Sequence, residues 1–250
     1  KAINKTNSIT IKEGSNIIFI DKNLPNIEIQ KIIDSAENGN TVEFLGDSYD
    51  SISLKIKGGL NLITNSGTQL NGLSKSPVLT INGDNINVSN FKINPNSQSG
   101  ESDGILINNS NNVNIANNTI INILNSNLIN DYNNGSTILP GTGIKVLNSA
   151  NINLEKNIIN SFESGIYNEY SSNISMKENE IRLNNYGIKY GFGSFNTTIS
   201  NNNITNNYWT ELGYEYCGPT VYGYTKWIES AVKRHKVNNL FFIARDGYTL

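Results

Sequence analysis

Three side chains in the second half of this 250-residue chain stand at a spacing that suits carbohydrate chemistry. Lys145, Tyr167 and Lys189 are 22 residues apart, and each lies two residues after a glycine that opens a Gly-Ile pair. Stacked side by side they form a Lys–Tyr–Lys strip, with Glu169 as a carboxylate beside it. A tyrosine ring can stack on the apolar face of a sugar while lysines face acidic groups. The plainer reading is a solvated face whose lysines discourage edge pairing. A second set comprises Glu101 and Asp103 in the segment 94–104, with Asp131 and Tyr132 in the segment 127–143. Together they could line a carbohydrate site or, through Glu101, Asp103 and Asp131, a Ca²⁺ site, since calcium takes carboxylate oxygens. Taken singly, each is more simply a solvated loop side chain.

The elements that must hold these residues follow from an internal repeat. GIKVLNSANINLEKNII from Gly143 recurs as GILINNSNNVNIANNTI from Gly104 and as GIYNEYSSNISMKENEI from Gly165. It recurs again, one residue looser, from Gly187, and as a degenerate copy from Pro77. A fixed period near twenty signals a solenoid. Counting from the glycine, apolar residues fall at +1, +3, +9, +11 and +16, as in Ile144, Val146, Ile152, Leu154 and Ile159. Pairs spaced by two mark short strands with one buried face, three per repeat; polar Asn168 is the exception at +3 in its copy. Such strands are too short to bury a core alone, so each must pair with its copy one coil on. Asn118, Asn157, Asn179 and Asn202 recur at +14 or nearby. There they can turn a corner with positive φ and stack their amides along the axis as a ladder. The steps Pro77–Gly104 and Gly104–Gly143 are longer, 27 and 39 residues, and both insertions fall between a third strand and the next first strand. On a rigid solenoid, long loops along one edge are where binding sites are usually built.

Composition bounds the function. Asn occurs 47 times, 45 of them before Tyr208, which suits many tight turns. A net charge of −2 gives no electrostatic case for nucleic acid or an anionic membrane. No apolar run is long enough to span a bilayer. A single cysteine, Cys217, excludes an intramolecular disulfide. The chain opens at Lys1 with neither an initiator methionine nor a leader, which reads as a piece of a longer protein.

With this frame the sequence resembles the right-handed parallel β-helix family, the pectin-lyase-like group with short Gly-Ile…Asn-x-Ile repeats. Within that group it is similar to Asn-rich adhesin-like surface proteins of methanogens and to NosD-type proteins. The expected fold is all-β, a parallel β-helix of about 22-residue coils over 26–207, preceded by strands or linker over 1–25. NIEIQKIIDSAENGNTVEFLGDSY resembles the family's opening helix and first strand. The residues agree: Ile29, Ile32, Ile33 and Ala36 make one helical face, Asn26 can cap it and Gly39 can end it.

From Tyr208 the pattern stops. Ten of the 22 aromatic residues lie in 208–250. TVYGYTKWIESAVKRH is amphipathic and NLFFIA reads as a strand, giving a short α/β segment expected to close the last coil through Trp227, Ile228 and Val232. The segment resembles one found downstream of haloacid-dehalogenase-like domains in surface-polysaccharide proteins, but the acidic Asp-x-Asp motif is absent, so no phosphatase role carries over to Asp246.

The resemblance implies a partner that is an extracellular or cell-envelope polysaccharide, or a glycan on a host or neighbouring cell, and an extracellular or cell-surface location. The favoured function is an adhesion or glycan-binding scaffold with no cofactor beyond Ca²⁺. The alternative is a polysaccharide lyase, with Lys145 or Lys189 as base, or a glycoside hydrolase, with Glu169 paired to Asp131 or Glu163. Neither pairing follows from spacing, and no histidine precedes His235. A role in cell-envelope polysaccharide biosynthesis rests on the tail alone.

Overall fold

A computed structural model describes residues 16–65, 67–73, 75–96, 102–123, 141–205, Ser230 and Arg234. The chain divides into two units, 1–207 and 208–250. The predicted helix and strand of the tail, with Trp227, Ile228 and Val232, lie outside the described residues. So do Glu101, Asp131 and Tyr132.

The first unit is built on three parallel sheets, with strands numbered β1 to β21 in chain order. The first sheet stacks β1 (Ile17–Ile20), β2 (Thr41–Phe44), β5 (Asn61–Thr64), β8 (Ile86–Ser89), β11 (Asn111–Ala116), β14 (Ala150–Glu155), β17 (Ser172–Lys177) and β20 (Phe195–Ser200). The second stacks β4 (Leu54–Ile56), β7 (Leu79–Ile81), β10 (Ile105–Asn108), β13 (Thr142–Leu147), β16 (Ser164–Glu169) and β19 (Tyr186–Tyr190). The third stacks β3 (Ser48–Ile52), β6 (Gln69–Gly72), β9 (Lys92–Asn94), β12 (Thr119–Ile121), β15 (Ile158–Asn160), β18 (Glu180–Arg182) and β21 (Asn203–Thr205). From β2 onward the chain visits one strand of each sheet in turn and then advances by one coil.

The register is the one the repeat predicts. Ile105, Ile144, Ile166 and Ile188 are successive partners, as are Val113, Ile152 and Ile174, and Ile120, Ile159 and Ile181. All but Ile188 are at most 1 % exposed, and Ile188 is partly buried against the same core. The repeat glycines are required by close packing and not by a turn. A Cβ on Gly165 would come within 2.5 Å of Ile181 Cγ2 and 2.6 Å of the Gly187 carbonyl oxygen.

Two corners are held by side-chain ladders. Between the first and third sheets, Asn118, Asn157, Asn179 and Asn202 each hand their Oδ1 to the coil before. Asn157 Oδ1 accepts from Asn118 N–H at 3.0 Å and from Asn118 Nδ2 at 3.2 Å, and Asn179 and Asn202 repeat the pattern. The positive φ expected at these asparagines belongs instead to the residue before each one, Asn117, Lys156, Glu178 and Asn201, at 54–58°. The ladder amide must face inward to reach its neighbours, so the reversal is made one position earlier. Between the second and first sheets a serine ladder does the same work. Ser149 Oγ accepts from Ser110 N–H and Ser171 Oγ from Ser149 N–H, both at 3.1 Å. Each of these hydroxyls in turn donates to a carbonyl two residues back.

Helix α1 (Asn26–Ser35) packs Ile29, Ile32 and Ile33 into the core beside β3 and β4. Its caps differ from the expected ones. Pro25 takes the N-cap position with no side-chain bond, because Asn26 Oδ1 accepts instead from Ser53 N–H. Ala36 ends the helix, and Gly39 turns the chain afterwards with φ of 88°.

Candidate functional site

Strand register brings the strip together. On the outer face of the second sheet, Lys145 pairs with Tyr167 and Tyr167 with Lys189. The row continues towards the N-terminus as Leu106, Thr80 and Lys55. The two ammonium groups flank the ring, Lys145 Nζ at 5.9 Å and Lys189 Nζ at 6.0 Å from the Tyr167 centroid. Lys189 Nζ is also 4.8 Å from the centroid of Tyr186. At such distances an ammonium is attracted to the face of the ring, which holds both chains across the sheet. The Glu169 carboxylate, two residues on from Tyr167, acts electrostatically on the phenol. Burial, and then this carboxylate, push the Tyr167 hydroxyl above the ordinary phenol range, so it stays protonated and able to donate.

Each lysine has an acidic partner at the corner where the third sheet passes to the second. Lys145 Nζ lies 3.8 Å from Asp103 Oδ2, and Lys189 Nζ lies 3.3 Å from Glu163 Oε1. Asp103 is the unusual member, being only 8 % exposed. Its Oδ1 accepts from Thr142 N–H at 2.9 Å across the coil boundary. Burial holds its carboxyl above the usual range, against the opposing pull of Lys145 and the Thr142 hydrogen bonds, and nearby Glu163 adds to the rise. A buried acid biased towards its protonated form beside a cation is the sort of group functional sites use.

Of the residues singled out from sequence, Lys145, Tyr167, Glu169, Lys189 and Asp103 converge here. Of the three acids named for calcium, Asp103 is the one among the described residues; its Oδ1 accepts from Thr142 N–H and its Oδ2 faces Lys145 Nζ. Among the described residues no group of three or more acids, histidines or cysteines is placed to hold a metal. Tyr186 was not anticipated. Its signal is positional: it directly precedes Gly187, in register with Ser164 and Thr142 of the two coils before.

The fold and its site can now be set beside known proteins. A family model described as a right-handed β-helix region matches residues 122–232. The chain is a right-handed parallel β-helix protein. Solved structures of this fold are similar to it at low identity. ORF18 of Geobacillus virus E2 aligns with a TM-score of 0.57 and 13 % identity, over 72 % of this chain but 39 % of its own. The polygalacturonase of Erwinia carotovora ssp. carotovora gives 0.53 and 14 %, over 81 % of this chain and 74 % of the enzyme. An alginate lyase from Paenibacillus gives 0.50 and 15 %, over 76 % and 68 %. No curated protein matches the sequence. The β-helix protein thus spans about two fifths of the viral chain. No helix among its described residues is long and apolar enough to cross a membrane.

Proposed function

We propose that the outer face of the second sheet binds an acidic polysaccharide, and that the solenoid serves as a scaffold presenting this face outside the cell. The observation that carries the reading is the register of Lys145, Tyr167 and Lys189 on adjacent strands. Strands one spacing apart, roughly 4.8 Å, place a ring between two cations along a line that an extended glycan can follow. Tyr167 would stack on a sugar ring, and its protonated hydroxyl would donate to a sugar oxygen. The lysines would exchange Asp103 and Glu163 for carboxylates of the ligand. Proteins of this fold that are named for polysaccharides, a polygalacturonase and an alginate lyase, support the ligand class.

The test is binding of oligogalacturonate and oligoalginate to the intact chain. Tyr167→Ala is expected to weaken binding roughly tenfold, equivalent to about 1.4 kcal/mol, with little change in melting temperature. Unchanged binding in Tyr167→Ala and Lys145→Ala would refute the assignment.

One observation favours a second reading, in which the same face is catalytic. Asp103 is buried and biased towards the acid form, as a group that protonates a glycosidic oxygen must be. Release of reducing or unsaturated sugars, abolished in Asp103→Asn, would move the protein into that class.

A further inference from the structure

A different corner of the solenoid carries a trough that the strip does not use. It runs along the serine-ladder edge, where the second sheet passes to the first. One lobe of 620 Å³ is lined by residues that include Asn38, Lys57, Gly58, Gly83 and Asp84. A second lobe of 450 Å³ shares Asp84 and Asn109 with the first and continues to Asn148 and Tyr170. From the coil of Asn38 to that of Tyr170 there are five coil steps of roughly 4.8 Å, so the trough is roughly 24 Å long. Its floor is low because the turns of the early coils are glycine. A Cβ on Gly58 would come within 2.9 Å of Asn38 Oδ1, so that turn leaves no room for a side chain.

The lining is amide, hydroxyl and backbone, and Lys57 and Asp84 are its only charged members, one of each sign. Such a surface offers paired donors and acceptors and no net field, unlike the lysine strip on the neighbouring sheet. At one end it acquires an aromatic platform. Asn109, Asn148, Tyr170 and Gly193 occupy one position on successive coils: Asn109, Asn148 and Tyr170 each donate their N–H to the residue just before the next member, Leu147, Glu169 and Phe192. The first three have φ of 48–50°, which asparagine accommodates and a bulky aromatic residue rarely adopts. Tyr170 nevertheless holds it while 58 % exposed, and Phe192 beside it is 81 % exposed. Glycine at 193 leaves the ring room, since a Cβ there would lie 2.6 Å from Tyr170 Cδ1. Strained backbone that buries little side chain is more often kept for a ligand than for the fold.

We infer that this trough is a second carbohydrate site, for an extended neutral glycan lying along the solenoid axis, with Tyr170 stacking on a terminal ring. Asparagine and serine side chains meet the sugar hydroxyls. Asp84 Oδ1 is engaged by Asn111 N–H at 2.8 Å, and its carboxylate bridges the two lobes as a further acceptor. A coil repeat commensurate with an outstretched pyranose chain lets one coil serve one ring. The assignment stands independently of the acidic-glycan reading.

Calorimetry of the intact chain with β-1,4-linked hexasaccharides of glucose, mannose and N-acetylglucosamine tests it. At least one should bind, and Tyr170→Asn should weaken it roughly tenfold, equivalent to about 1.4 kcal/mol. This variant restores the residue that two earlier coils carry at the same position, so the fold is kept and the melting temperature should not fall. Asp84→Asn retains the acceptor for Asn111 and should weaken binding several-fold. Tyr167→Ala should leave neutral-glycan binding intact, and Tyr170→Asn should leave oligogalacturonate binding intact. The inference is overturned if none of the three sugars binds, if binding survives both trough variants, or if Tyr167→Ala removes it.

Discussion

The coil from Thr142 to Asn160 and the coil from Tyr186 to Thr205 carry the same repeat and differ in what covers them. Leu154 and Ile159 are fully buried, whereas their counterparts Ile199 and Ile204 are 47 % and 40 % exposed. Phe195, also in the later coil, is 67 % exposed. A residue pattern in a solenoid therefore specifies a direction, inward, but burial is supplied by the next coil along the axis. The inner face near the end is also less apolar. Asn168 replaces the usual +3 hydrophobe and is fully buried, with neither end of its amide bonded, and Thr197 follows Ile174 in the first sheet.

The largest effect should come from charging the two regions in turn. Ile166→Asp places a lone carboxylate between Ile144 and Ile188 and should destabilise by more than about 4 kcal/mol, enough to prevent folding. Ile204→Asp should stay within roughly 1 kcal/mol. Thermal unfolding of both would break the comparison if the two losses were alike. A smaller contrast is expected in the amide ladder. Asn157→Ala leaves the N–H of Asn118 and other buried groups unsatisfied, a loss of about 1–3 kcal/mol. Asn202→Ala, at the last described rung and only half-buried, should lose roughly half as much by the same measurement.

The smallest effect is a pH dependence. The folded state raises the carboxyl of Asp103 above its ordinary 3.8, so the folded chain binds more protons than the unfolded one in that window. This contribution to stability is present at low pH and is lost as pH rises through the folded value. Asp103→Asn keeps the oxygen that accepts from Thr142 N–H but does not titrate. It should flatten the slope of stability above pH 3.8 and raise the melting temperature at neutral pH. An unchanged slope would show that Asp103 titrates normally.

Much of this architecture was legible because a 22-residue period leaves little freedom. Gly143, Gly165 and Gly187 fix the coil length, and the inward register of Ile144 and Ile166 follows from spacing alone. The Lys145–Tyr167–Lys189 row was legible for the same reason. What stayed hidden depends on axial neighbours. Serine at Ser110, Ser149 and Ser171 looks like ordinary turn chemistry until the coil before supplies an N–H for each Oγ. The approach of Asp103 to Lys145 spans 42 positions and the longest insertion, so no local pattern encodes it. The caps of α1 failed for a related reason, since Asn26 found a better partner in Ser53 of the coil beside it.

The way the corner ladders close has a bearing on how such a chain can change length. Rung-to-rung bonds run only between neighbours along the axis, and the contacts of β13 with β16 repeat those of β16 with β19. Excising Gly165–Tyr186, one complete cassette, would bring Gly187 directly after Ser164 and lay Ile188 against Ile144 with both ladders in phase. Removing half as many, Gly165–Ser175, would set Lys177 opposite Ile144 and Asn179 opposite Val146. Recombination within the gene is thus tolerated in whole coils, and the reach of the molecule is inherited in steps of one strand spacing, roughly 4.8 Å each.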